Sequence, residues 1–183
     1  MPYELLNKAR LTAALRRLGE LAQARGLVLE LSLYGGAVFT LVYGSRESTR
    51  DVDGLIRPTA AAEPLIAQVA REQNLPPDWL NSDVQQFLAP KEEKRVWTDA
   101  DLGLGLRITL PTAAYLLALK LRACRSPLPG FAGDEEDIRF LLRRLRPKSY
   151  DQVAAGFERF FPGETPDERA EALVRRVLKE VPR

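Results

Sequence analysis

The sequence predicts an α+β protein: a small mixed β-sheet flanked by helices, with a helical C-terminal part. Three observations lead there. Leucines recur at helical spacing at the N-terminus. Period-2 alternation returns in separate short stretches before residue 110. Beyond that point every apolar pattern has the helical period. The expected organisation is an α/β core over 1–110 and a helical region over 111–183 packed on it.

The elements follow in order. Leu5, Leu11, Leu15, Leu18 and Leu21 make one stripe of an amphipathic helix over Tyr3–Arg25, stopped by Gly26. Leu27, Leu29, Leu31 and Leu33 alternate with Val28, Glu30, Ser32 and Tyr34, which is a strand running into Gly35-Gly36. Ala37–Tyr43 is short and apolar and reads as a helix opening on those glycines. Gly44–Arg50 is a polar loop, Asp51–Ile56 a second strand closed by Arg57-Pro58, and Ala60–Gln73 a helix.

Pro76-Pro77 breaks the chain, and Asp78–Leu88 reads as a further helix or turn. Val96 and Trp97 suggest a short strand, and Leu102, Leu104, Leu106 and Ile108 a clearer one over Leu102–Thr109. Pro111–Cys124 is a strongly apolar helix and Pro127–Gly133 a loop. Asp134–Arg144 starts acidic and ends basic, as the helix dipole favours. Helices over Tyr150–Phe160 and Thr165–Val181 complete the chain.

Composition narrows the chemistry. The 183 residues include no His and a single Cys. Without imidazole there is no Ser-His-Asp triad, no Cys-His pair and no His-ligated zinc. Cys124 alone forms neither an intrachain disulfide nor a thiolate cluster, and within an apolar helix it reads as buried and inert. Chemistry is left to carboxylates, hydroxyls, Lys, Arg, backbone amides or a metal held by oxygen. A net charge of +2 does not by itself argue for nucleic acid. No apolar run approaches the ~18 residues of a membrane span, and the N-terminus lacks a signal-peptide core, so a cytoplasmic protein with no membrane partner is expected.

The stretch that carries chemistry is Leu33–Ile56, LYGGAVFTLVYGSRESTRDVDGLI. Asp51 and Asp53 lie two apart on a strand, so both point to one face. Two carboxylates that close repel, and a shared proton, a basic partner or a divalent cation relieves them. Carboxylate oxygens are hard ligands that suit Mg2+ or Mn2+, ions that also bring phosphates. The Gly35-Gly36 turn opens a helix whose first N–H groups suit a phosphate, and the missing Cβ atoms allow close approach.

This arrangement resembles the polymerase-β-like nucleotidyltransferase superfamily: a Gly-Gly turn, a short helix, and an Asp-x-Asp strand. The polar wording before the aspartates, with Arg46, Ser48 and Thr49, is similar to the bacterial toxin-type branch related to abortive-infection nucleotidyltransferases. A second likeness lies downstream, in LLALKLRACRSPLPGFAGDEEDIRFLL, where Lys120, Arg125, Asp134 and Asp137 fit a Lys, Arg, D-x-x-D pattern. PPDWLNSDV (76–84) also looks like a segment of that branch, and the resemblance spans roughly residues 28–145.

The resemblance implies a sheet of the nucleotidyltransferase type and transfer of a nucleoside monophosphate from a nucleoside triphosphate to a hydroxyl on RNA, such as tRNA, or on a protein. Asp51 and Asp53 are then catalytic and hold one or two Mg2+ (or Mn2+) ions. Gly35 and Gly36 contact phosphates, and Arg46, Ser45, Ser48 and Lys120 bind the pyrophosphate end. A toxin-like role implies an antitoxin partner, and the C-terminal helices offer a face for self-association.

The superfamily's third carboxylate has no counterpart on Leu102–Thr109, which carries Arg107 instead; Asp83, Asp99 and Asp101 are the substitutes in the vicinity. Loss of that acid is one route to a binding module, so an inactive nucleotidyltransferase fold that recognises a nucleotide or a toxin–antitoxin partner is the alternative. Plainer readings accompany several residues. Lys120 is a phosphate ligand or a lysine snorkelling at a helix edge. Asp134 and Asp137 read first as N-terminal helix residues. Arg143, Arg144 and Arg146 read as a solvated helix end, with phosphate contact as the other use.

Overall fold

The computed structural model describes residues 3–98, 102–127 and 133–180. The chain divides into two compact units, Met1–Gln86 with Arg95–Leu110, and Phe87–Lys94 with Pro111–Arg183. The helical unit thus also takes in the 87–94 segment.

In the first unit, β1 (Leu6–Asn7) precedes α1 (Lys8–Ala24). The helix starts later than the leucine spacing predicts because Asn7 caps it, its Oδ1 accepting from Arg10 N–H at 3.0 Å. Leu5 is consequently left outside the helical stripe and is exposed, whereas Leu6, Leu11, Leu15 and Leu18 are buried. β2 (Leu29–Leu33) leads through Tyr34 into α2 (Gly35–Val38), which widens into a π-turn over Phe39–Tyr43 and stops at Gly44. β3 (Ser48–Thr49) pairs antiparallel with β1, Leu6 opposite Thr49 and Asn7 opposite Ser48. The predicted polar loop therefore contains a two-residue strand that the N-terminal arm holds in place.

β4 (Val52–Arg57), α3 (Thr59–Glu72), β5 (Leu80–Asn81) and a 3-10 turn (Asp83–Phe87) follow, then β6 (Lys94–Val96) and β7 (Leu106–Pro111). The main sheet runs β5-β4-β2-β7-β6. It is mixed: β2 is antiparallel to β4 but parallel to β7, and β4 is parallel to β5. Leu29, Leu31, Leu33, Val52, Leu106, Ile108 and Leu110 are buried and alternate with the polar face of Glu30, Ser32, Asp53, Arg107 and Thr109. Each fully buried leucine contributes about 1.5–3 kcal/mol relative to exposure. α1 and α3 lie together and are clamped by a fork, Arg17 Nε and Nη2 donating to the two Glu72 oxygens at 2.7 and 3.2 Å.

The strand expected over Leu102–Thr109 begins only at Leu106. Gly103 takes φ +81°, a left-handed turn that breaks the alternation, so Leu102 is buried while Leu104 is 79% exposed. The expected helix or turn over Asp78–Leu88 resolves into β5 and the 3-10 turn.

The second unit is helical: α4 (Ala113–Ala123), α5 (Glu135–Leu145), α6 (Tyr150–Glu158) and α7 (Glu168–Glu180). Thr112 caps α4, its Oγ1 accepting from Tyr115 N–H, and Ser149 caps α6. Tyr115 stacks at 4.9 Å on Phe160, and its hydroxyl accepts from Ala89 N–H at 3.0 Å. Phe157 and Phe161 add a second ring pair at 5.1 Å. Cys124 is buried at the C-cap of α4 with φ +31°, and burial pushes its thiol up, in keeping with an inert residue. Among the described residues no helix is long and apolar enough to cross a membrane.

Candidate functional site

The Gly-Gly turn and the Asp-x-Asp strand meet because β2 and β4 are antiparallel neighbours. Leu33 stands opposite Gly54, and Tyr34 N–H donates to Asp53 C=O at 2.8 Å. That register sets the start of α2 against the start of β4. Asp51 and Asp53 flank buried Val52, so both half-buried carboxylates stand on the polar face of the sheet.

The glycines show how tight this junction is. Gly35 has φ +59°, a conformation that side chains disfavour. A Cβ there would collide with Asp53 Oδ2. A Cβ on Gly36 would stand 2.5 Å from Thr49 Oγ1 and 3.2 Å from Arg46 Nη1. One carboxylate thus packs on the first glycine, and a hydroxyl and a guanidinium on the second. Gly35, Gly36, Arg46 and Asp53 of the predicted set come together, with Asp51 just before β4, which starts at Val52 and not at Asp51 as expected.

Ser45 and Ser48 sit on the connection that delivers Arg46. Ser45 is exposed just past Gly44, its N–H donating to Phe39 C=O at 3.1 Å. Ser48 is half-buried and held in register opposite Asn7.

Four polar residues join this face that the sequence did not single out as site residues. Thr49 is buried with its hydroxyl over Gly36. Asn81 pairs with Asp53 across β4 and β5, and its Nδ2 donates to Asp51 Oδ2 at 3.4 Å. Ser32 and Thr109 face each other across β2 and β7, their hydroxyl oxygens 3.0 Å apart. Thr49 lay within the motif wording. Ser32 and Thr109 fell at the polar steps of alternating strands. β5 is only two residues long and shows no periodicity, and Asn81 lay inside the PPDWLNSDV likeness without being singled out.

On the polar face β7 carries Arg107 and Thr109. Asp83 lies in the 3-10 turn, exposed, its N–H donating to Asn81 Oδ1 at 3.0 Å. Asp99 and Asp101 lie outside the described residues. No group of three or more Asp, Glu or Cys able to hold a metal occurs among the described residues.

Lys120 lies in the helical unit and is 4% exposed. Its Nζ is 2.7 Å from Asp134 Oδ1 and 2.8 Å from Asp137 Oδ2. Asp134 also accepts from Arg125 N–H at 2.9 Å and from Arg125 Nε at 3.0 Å. The four residues of the downstream pattern therefore form one ion-paired knot that ties the loop after α4 to the start of α5. Asp134 and Asp137 reach one lysine because positions three apart share a helix face. Burial alone would raise the Asp134 carboxyl, but Lys120 and Arg125 outweigh it and hold it down at about 2. Asp134 occupies the N-cap of α5 without making a side-chain cap bond, its oxygens being committed to the knot.

Comparison of the chain with protein-family models, curated proteins and solved structures gives no match.

Proposed function

We propose that the chain is a metal-dependent nucleotidyltransferase of the toxin-like kind, moving a nucleoside monophosphate from a nucleoside triphosphate to a hydroxyl of RNA or protein. The observation that carries this reading is the junction at Gly35-Gly36, where Asp53 packs on one glycine and Arg46 and Thr49 on the next. Two neighbouring carboxylates, Asp51 and Asp53, suit Mg2+, an ion commonly held by one or two carboxylates plus substrate phosphates. Bound there, such an ion would neutralise triphosphate charge and orient the reacting oxygens.

The chain's own groups account for the rest. Arg46 offers a planar fork to the pyrophosphate end. The turn presents N–H groups that have no partner inside the helix. The Thr49 hydroxyl and the Arg46 guanidinium, which lie against Gly36, are the groups that would bond a phosphate oxygen brought to the turn. In the reaction the acceptor oxygen bonds the α-phosphorus as the bond to pyrophosphate breaks. The hydroxyl proton passes to an oxygen base, since the chain holds no imidazole.

Incubation with Mg2+, α-labelled nucleotides and total RNA or protein should give label transfer. Asp53→Asn, which keeps the packing on Gly35 but removes the charge, should abolish it. Full transfer by that variant would sink the assignment.

One observation favours a second reading. On the polar face β7 carries Arg107 and Thr109, the latter hydrogen-bonded to Ser32, and no acid. A nucleotide- or partner-binding module without turnover would show calorimetric binding and release no pyrophosphate under any metal condition.

A further inference from the structure

We infer that the C-terminal end of α5 is a docking site for single-stranded nucleic acid, built from Phe140, Arg143 and Arg146. The site lies wholly in the helical unit and is independent of the nucleotidyl-transfer reading.

An open cavity of about 490 Å³ is lined by Phe140, Arg143, Arg144 and Arg146. Its wall is an aromatic ring and three guanidinium groups, with no acid among them. The arginines around it are treated differently. Arg139 pairs with Glu135 and Glu180, Arg175 with Glu171, and Arg176 with Glu135. Arg143 and Arg146 make no ion pair among the described residues, and both are exposed. Arg143 and Arg146 thus stand apart from these ion-paired arginines of α5 and α7.

The helix dipole favours cations in a last turn, which is reason enough for Arg143 and Arg144. It does not account for Arg146. That residue lies just past the helix with φ +52°, where glycine or asparagine is the usual choice. An arginine there puts a third guanidinium into the cavity at a conformational cost glycine would avoid.

Guanidinium forks match phosphates and carboxylates alike. The Phe140 ring decides between them. An unstacked base has a π-face to lay on an aromatic ring between arginines, the usual way single strands are held, whereas an acidic peptide has none.

The test is fluorescence polarisation with the full chain and a short mixed-sequence single-stranded oligoribonucleotide, without nucleotide or divalent metal. Binding should fall with salt. The Arg143→Ala/Arg146→Ala variant should bind about 25-fold more weakly at 0.1 M salt, about fivefold per lost phosphate contact on a single strand. Arg25→Ala/Arg71→Ala, the same charge loss at exposed positions of the other unit, should bind like the parent. Phe140→Leu should lose about tenfold through lost stacking. Arg146→Gly separates binding from folding: it should raise the melting temperature while weakening binding.

Equal binding by the two double variants would overturn the site. So would a polyglutamate peptide held as tightly as the oligonucleotide, which would make an acidic protein the partner. Because no transfer is measured, loss of this site leaves the reading of Asp51 and Asp53 untouched, and Asp53→Asn should bind the oligonucleotide normally.

Discussion

Asp53 Oδ2 fills the space in which a Cβ on Gly35 would stand. The first glycine of the turn is therefore shaped by a carboxylate two strands of sequence away, as well as by its own φ of +59°. The two causes can be separated. Gly26 has φ +67° with nothing within 4 Å of a built Cβ. Gly26→Ala should cost about 1 kcal/mol, the left-handed penalty alone. Gly35→Ala should cost about 3 kcal/mol, because Asp53 must also move. Urea titration of both variants measures the difference, and equal midpoints would mean that the carboxylate yields freely.

The knot around Lys120 makes a second prediction. Its ammonium and the two aspartates are all buried, so truncation of one partner strands the others. Lys120→Met should destabilise by about 3–5 kcal/mol, as for other buried ion pairs broken on one side. Adding Asp137→Asn should restore part of that loss, since Asp134 retains Arg125. Guanidinium unfolding of the single and double variants gives the coupling. A loss below about 1 kcal/mol for Lys120→Met would be the value for a solvated surface pair and would contradict the burial.

The same knot sets an acid limit. The Asp134 carboxyl sits at about 2, below its ordinary 3.8. A depressed folded-state value means the unfolded chain takes up the proton first. The stabilisation is therefore complete above about pH 4 and is lost as pH falls towards about 2, amounting to about 2 kcal/mol. Urea midpoints measured down this window should fall for the parent and fall less for Asp134→Asn. Parallel curves would assign the acid loss to other carboxylates.

Much of the fold is legible in the sequence where a pattern repeats. The alternation of Leu29, Leu31 and Leu33 marks β2, and the apolar spacing marks α1, α3 and α4. What fails is what depends on a single local choice. The side chain of Asn7 overrides the leucine stripe at the start of α1. Gly103 ends an alternation that composition alone would extend. The candidate site divides in the same way. Gly35, Gly36, Asp51 and Asp53 announce themselves by spacing. Asn81 and Ser32 become polar neighbours of the aspartates only through strand order, which no local signal carries. Lys120, Arg125, Asp134 and Asp137 are recognisable as a set, but their mutual pairing requires the end of α4 and Arg125 just past it to meet the start of α5.

The polar face offers a last test, aimed at the cation. Thr109 lies on that face beside Ser32, and Ser32 stands opposite Leu55, two residues along β4 from Asp53. Thr109→Asp adds a negative charge to a face that already carries Asp51 and Asp53, with Glu30 and Arg107 further along it. Like charges there repel, so the variant should be less stable than the parent in a chelator. A divalent ion relieves the repulsion and binds only the folded chain, so Mn2+ should stabilise it by RT ln(1 + [L]/Kd), about 2.7 kcal/mol at a hundredfold excess over Kd. The parent should gain less at the same concentration, having fewer carboxylates to offer. In Asp53→Asn/Thr109→Asp the Mn2+ gain should shrink back to the parent's or below it. Thermal melts of the three proteins with chelator and with Mn2+ decide the matter. A Mn2+ response in Thr109→Asp no larger than the parent's would show that Asp51 and Asp53 do not share a cation with this part of the sheet.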